Sequence, residues 1–277
     1  MANDFRAQTS YFRGILDAGF KMEMDLLKTC RYDISADMAG AKSMTIRGVS
    51  DVTLENYTGA DLTAARATVN SDTLTLDKWK AATARIQRGD YESDAQLQQL
   101  MNDIAGKFVR QTKQLVNTEI CAQYAVATAL YSDASPAVLT PVNAWVKLNE
   151  FVTAFEEANV PDEDRIIVIP PAVAGLLTDV KNLKGINGSI TAQIVTCNQV
   201  SSTGSGAEKI YRILGYSKDW LLAGLGIDEV KMGDIGELNF GQYIKALILY
   251  GVDPATNVIG THGWTMSAQV DNSVLSA

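Results

Sequence analysis

The sequence predicts an α+β fold, and three stretches carry that prediction. Short period-two runs fill 41–89, a helical stripe starts at Ser93, and an all-apolar strand lies between two helices within 144–183. Alternation marks half-buried strands, and apolar positions three and four apart mark a helix with one buried face. The order helix, strand, helix in the third stretch describes a mixed region of both.

Residues 9–31 come first, with Tyr11, Phe12, Ile15, Leu16, Phe20, Met24, Leu26 and Leu27 at helical spacing. They predict an amphipathic helix or helical arm, bent at Gly19. From 41 the texture changes to Met44, Ile46 and Val49, then Val52, Leu54 and Tyr57, then Val69, Leu74 and Leu76, then Ile86. Gly48, Gly59, Asn70-Ser71-Asp72 and Gly89 punctuate these runs, so hairpins are predicted. Threonine is frequent here and large apolar residues are few. A two-stranded ribbon of this kind buries little of its own surface and needs something to lie against.

The clearest element opens at Ser93 or Asp94 as N-cap and is predicted to run to about residue 131. Its stripe is Leu97, Leu100, Met101, Ile104, Phe108, Leu115, Val116, Ile120, Tyr124, Ala127 and Leu130. Such a helix would span roughly 55 Å at 1.5 Å per residue. After a loop at 132–141, a second amphipathic helix is predicted at 144–158 through Trp145, Leu148, Phe151, Val152 and Phe155. Arg165-Ile-Ile-Val-Ile169 reads as a strand, and Pro171 as the first residue of a helix over 172–183. The glycine- and serine-rich stretch 185–209 predicts an exposed, flexible loop. Strands are then expected at 210–216, 243–252 and 258–270, the last two joined by Asp253-Pro254-Ala255-Thr256. Between them Trp220 to Ile227 is an apolar run broken by Gly224 and Gly226.

Composition bounds the chemistry. At 277 residues, 47% hydrophobic and 20% charged, the chain can bury a large core without staples. A net charge of -8 and pI ≈ 4.8 argue against tight nucleic-acid binding, which rests on clustered Lys and Arg. The basic set Arg85, Arg88, Lys107, Arg110 and Lys113 is interrupted by Asp90, Glu92, Asp94 and Asp103, and reads as a solvated or subunit-pairing face. Cys30, Cys121 and Cys197 are odd in number and widely spaced, so they read as reduced, buried thiols. His262 is the lone histidine and reads as structural or interfacial. Glu156, Glu157, Asp162, Glu163 and Asp164 surround Pro161 and read as a solvated turn or helix cap. No catalytic, cofactor-binding or metal-ligating residue is assigned, and no cofactor is implied. No signal peptide, and no apolar run of the roughly 18 residues a membrane helix needs, is seen.

The order of elements resembles the major capsid proteins of tailed bacteriophages with the Hong Kong 97-type fold. Two stretches carry the likeness. The first is Asn143-Ala-Trp145 through Phe155-Glu-Glu-Ala-Asn-Val-Pro161, then Asp164-Arg-Ile-Ile-Val-Ile-Pro-Pro171 and Leu176-Leu177. The second is Lys42-Ser-Met-Thr-Ile-Arg47 with Asn56-Tyr57 and Leu74-Thr-Leu-Asp77. The resemblance implies an N-terminal arm at 1–40, an extended loop or β hairpin at 41–92, and a peripheral domain with its spine helix at 93–160. An axial domain at 161–235 and peripheral strands at 236–277 complete it. It also implies self-assembly as pentamers and hexamers into an icosahedral virion head around double-stranded DNA, without sequence-specific binding and without a membrane. A portal is an implied partner, and scaffolding or decoration proteins stay open; synthesis would be in the host bacterial cytoplasm. About 40 residues before the loop leave no room for a fused scaffolding domain, and an ordered arm without proteolytic maturation is expected. The loop glycines 48, 59 and 89 and the stretch 201–206 are candidate hinges. No Lys–Asn cross-link is assigned. An encapsulin-type nanocompartment shell shares the fold and remains an alternative; a two-domain α/β enzyme, with 201–206 as its active-site loop, is the rival of another class.

Overall fold

A computed structural model describes residues 5–31, 43–49, 68–177, 182–184, 190–235 and 241–271. Helix α1 (Phe5–Glu23) is followed by a 3-10 turn at Leu27–Thr29. Phe12 and Leu16 are fully buried, and Gly19 lies inside the helix rather than at a bend. A Cβ there would sit 2.7 Å from Val109 Cγ2, so this glycine allows close approach to the long helix.

Strands β1 (Ser43–Val49) and β2 (Val69–Thr75) pair antiparallel from Ser43↔Thr75 to Val49↔Val69. Asn70, Ser71 and Asp72, expected in a turn, lie within β2. Strand β3 (Lys78–Gln87), expected among the hairpins of this region, pairs elsewhere. Helix α2 (Asp94–Ala122) begins as predicted: Ser93 caps it, and Gln96 reaches back to form a capping box. It ends about nine residues early. At 29 residues it spans about 44 Å rather than 55 Å. The predicted last turns become a 3-10 turn (Gln123–Ala125) and strand β4 (Thr128–Tyr131). The predicted loop after it contains β5 (Ala137–Leu139).

Helix α3 (Ala144–Glu157) follows the predicted bounds. Its end explains the Asn-Val-Pro motif. Asn159 takes a left-handed conformation, φ 54°, while the Asn159 and Val160 amides donate to the Glu156 and Phe155 carbonyls. That is a Schellman termination with asparagine in the usual glycine position, and buried Val160 provides its apolar contact. Strand β6 (Arg165–Ile169) is as predicted, but α4 (Pro171–Ala174) is one turn, not twelve residues. Strand β7 (Asn182–Lys184) stands where the predicted helix was to end, and the stretch 185–209, expected to be a loop, contains β8 (Ile190–Thr196) and β9 (Ser202–Thr203). Strands β10 (Ile210–Ser217), β11 (Leu221–Asp234), β12 (Gly241–Pro254) and β13 (Gly263–Val270) close the chain. Gly224 and Gly226 do not interrupt β11; its irregularity lies between Ile227 and Glu229.

Two larger sheets organise these strands. The eight-stranded sheet runs β4-β13-β10-β6-β8-β7, with β5 also on β13 and β9 on β10; β6–β8, β13–β4 and β13–β5 are parallel. The three-stranded sheet runs β11-β12-β3, all antiparallel. Strand β6 shows why its sequence is apolar from Ile166 on: Ile166 and Val168 join the core under α1 and α2, whereas Ile167 and Ile169 join the core under α3. A strand covered on both faces has no polar side to alternate with.

Candidate assembly surfaces

The β1–β2 ribbon meets the body along one line. Ile46, Leu74 and Leu76 pack with Leu222, Leu249 and Ala255 in a small core separate from the two main ones. Asp72 shares the inward parity of Leu74 and Leu76, and is 8% exposed. Its Oδ2 accepts the backbone N–H groups of Asn257 (3.0 Å) and Val258 (2.8 Å), and its Oδ1 accepts Asn257 Nδ2 (2.7 Å). Asp253 Oδ2 accepts the Thr75 N–H at 3.0 Å. Two carboxylates thus accept backbone donors across the junction between ribbon and body. Gly48 packs on Val258 and Gly251 on the Thr75 carbonyl, both too close for a Cβ. Gly48 is therefore a packing residue rather than a hinge; Gly59 lies outside the described residues.

Away from this root, the outward-facing residues described in the ribbon are exposed. The facing pair Val49 and Val69 is 61% and 62% exposed, and Thr45 and Thr73 bridge hydroxyls across the outer face. A second series of exposed valines, Val138, Val142 and Val146, recurs every four residues from β5 into α3. Exposed apolar side chains in series suit contact with another protein surface.

The charged candidates resolve into structural roles. Arg165, 5% exposed, donates from Nε and Nη2 to the Val160 carbonyl at 2.9 and 2.6 Å. Its Nη1 lies 2.9 Å from Asp162 Oδ1 and 3.9 Å from Glu156 Oε1. Two members of the acidic cluster therefore neutralise a buried guanidinium instead of merely facing solvent. In the basic set, Lys113 pairs with Asp25 at 3.2 Å, Lys107 and Arg110 are exposed on α2, and Arg85 lies on β3. The cleft by Gly89, Asp90, Tyr91, Glu92 and Asp103, about 390 Å³, is polar. There Asp90 is engaged in capping the Gln87 N–H and Gln96 in capping Ser93.

His262 precedes β13; its carbonyl accepts the Ser217 N–H, and its ring stacks at 12° on Trp264. Burial holds its imidazole below the ordinary value. The glycine-rich stretch is a turn: Gly204 and Gly206 have φ of 79° and 61°, and β9 returns onto Ile210 and Tyr211. Arg212 fixes it through Ser201, and binds Asp133 through Nε and Nη2. The Arg212 and Ser267 hydrogen bonds hold the Asp133 carboxyl below its usual range. Among the described residues, no group of three or more His, Cys, Asp or Glu is placed to hold a metal. No described helix is long and apolar enough to cross a membrane. Sequence reasoning missed the Asp72 and Asp253 anchors; the parity of Asp72 with Leu74 and Leu76 was the available signal.

No known protein-family signature matches the chain, and no curated protein sequence does. Solved structures do. The capsid of Ralstonia phage GP4 aligns with TM-score 0.61 and 9% identity, covering 88% of this chain and 88% of that one. A structure from Mycobacterium phage Che8 aligns with TM-score 0.59 and 16% identity, covering 86% and 88%. The chain has the phage-capsid fold. A virus-like particle from Pyrococcus furiosus also shares this capsid fold, with TM-score 0.53 and 11% identity over 93% of this chain and 98% of that one.

Proposed function

We propose that this chain is the major capsid protein of a tailed bacteriophage, a structural subunit rather than an enzyme. In this reading it assembles as pentamers and hexamers into the icosahedral head around double-stranded DNA. The observation that carries the reading is the ribbon. It is rooted in the body by Asp72 and Asp253 yet leaves the Val49–Val69 pair exposed, as a strap that lies across a neighbouring subunit would. Each contact can be modest, because a subunit in a closed shell is held by several neighbours at once.

On this reading residues 1–40 are the N-terminal arm and 41–92 the extended loop. Residues 93–160 with 236–277 form the peripheral domain, and 161–235 the axial domain. The net charge of -8 fits a wall that encloses DNA without gripping it. A portal is an expected partner, scaffolding or decoration proteins are further candidates, and the finished location is the virion. Electron microscopy of the full chain expressed alone tests the proposal. Closed shells with five- and six-fold clusters support it, and a protein that stays monomeric at high concentration overturns it.

A second reading, an encapsulin-type nanocompartment shell, is favoured by the near-complete coverage of the Pyrococcus furiosus particle subunit. Small uniform shells loaded with an enzyme instead of DNA would select it.

A further inference from the structure

The three cysteines, 91 and 76 residues apart along the chain, converge in the main core. Cys30 closes the turn after α1, with its Sγ 3.7 Å from the Leu26 carbonyl and 3.9 Å from the buried Tyr216 hydroxyl. Cys121 lies in the last turn of α2. Cys197 directly follows β8, where its N–H is fixed to the Ile169 carbonyl at 2.8 Å. The Cys121 and Cys197 sulfurs are 3.9 Å apart, facing each other across the junction of helix and sheet. A disulfide needs sulfurs about 2.05 Å apart, so the two sulfurs must close by roughly 2 Å to join.

We propose that Cys121 and Cys197 are a paired modification site, which a hydroperoxide converts into a disulfide tying the end of α2 to the end of β8. The two thiols are not equivalent. Cys197 is 5% exposed and Cys121 1% exposed, so a water-sized oxidant meets Cys197 first. The Cys121 hydrogen bond, opposed by burial and aided by a Gln199 backbone hydrogen bond and Lys113, lowers the Cys197 thiol from its ordinary value. The same hydrogen bond, together with burial, pushes the Cys121 thiol up. Cys197, the more exposed of the two, is therefore the sulfur oxidised first and Cys121 the resolving thiol. In the first step the Cys197 thiolate attacks one peroxide oxygen, the O–O bond breaks, and hydroxide leaves with a sulfenic acid on Cys197. In the second, the Cys121 sulfur attacks the Cys197 sulfur, the S–O bond breaks, and water leaves carrying the Cys121 proton. Two thiols and one hydrogen peroxide give one disulfide and two waters. Cys30, held by the Tyr216 hydroxyl and pushed by burial to about 12, stays reduced.

The test uses the purified full chain, exposed under native conditions to hydrogen peroxide. It is then quenched with catalase, unfolded in guanidinium with N-ethylmaleimide, and mapped by peptide mass spectrometry. The expected result is one linked peptide pair, Cys121 with Cys197, and a fall from three alkylated thiols per chain to one, reversed by dithiothreitol. The guanidinium midpoint of the oxidised chain should rise. Cys30→Ala should keep the link, and Cys197→Ser should remove it and leave two alkylated thiols. Three alkylated thiols after oxidation, a link through Cys30, a sulfinic acid on Cys197 without a link, or an unchanged midpoint would each overturn the proposal.

Discussion

The ribbon and the eight-stranded sheet are both β structure, built from different residues for different ends. In the sheet, β6 is buried along its whole length and β13 along its first six residues, because α3 covers one face and α1 with α2 covers the other. In the ribbon, β1 buries only Ile46, and β2 buries Asp72 and Leu74. The sheet carries its own stability through apolar area removed from water. The ribbon depends on a small apolar root and on carboxylates that accept backbone donors. One region is finished within the chain; the other is finished only at its base.

The largest expected effect breaks the sheet side of this contrast. Phe151 is fully buried under α3, and Phe151→Ala should cost about 3–5 kcal/mol through lost burial and the cavity left behind. Chemical unfolding of the subunit measures it, and a loss below 1 kcal/mol would mean that the α3 layer is not what stabilises the sheet. Next, Asp72→Ala should cost about 1–3 kcal/mol by removing the charge-assisted hydrogen bonds to the Asn257 and Val258 amides. Its signature is local. Hydrogen exchange should quicken at the amides of 69–75 and stay unchanged in β6, while equal loss of protection in both would erase the distinction. The smallest effect on the subunit should come from Val49→Asn combined with Val69→Asn. Both positions face solvent, so stability should stay within about 0.5 kcal/mol, yet shell yield by sedimentation should fall sharply. Undiminished shells would show that the ribbon's outer end makes no contact that matters.

The same contrast governed what could be read without coordinates. Elements with a strong local pattern were legible: the Ser93 cap of α2, the amphipathic α3 and the all-apolar β6. The far end of α2 was not. Tyr124, Ala127 and Leu130 keep helical spacing, but Thr128–Tyr131 pairs in parallel with β13, over 130 residues away in sequence. A long-range ladder overrode local propensity there. Strand β8 was hidden for a similar reason, since its glycine-rich flanks suggested a loop and its partner β6 is the evidence that it is a strand. Asp72 was misread because asparagine, serine and aspartate together signal a turn, and the amides that make it an anchor belong to residues 257 and 258. Legibility of the assembly surface stopped at its composition: few large apolar residues and many threonines said that the ribbon needed support, not where its root lay.

The strand that leaves the ribbon has a mechanical consequence. Only Leu76 and Asp77 separate β2 from β3, which is paired with β12 over ten residues, from Lys78↔Tyr250 to Gln87↔Gly241, and then leads through Arg88–Asp90 toward α2. A tug on the ribbon therefore enters the body at one end of that ladder and leaves toward the long helix at the other. In the proposed shell the ladder would act as a tendon: neighbours gripping the ribbon would pull along a bonded seam, and that seam would spread the tension through the subunit's interior.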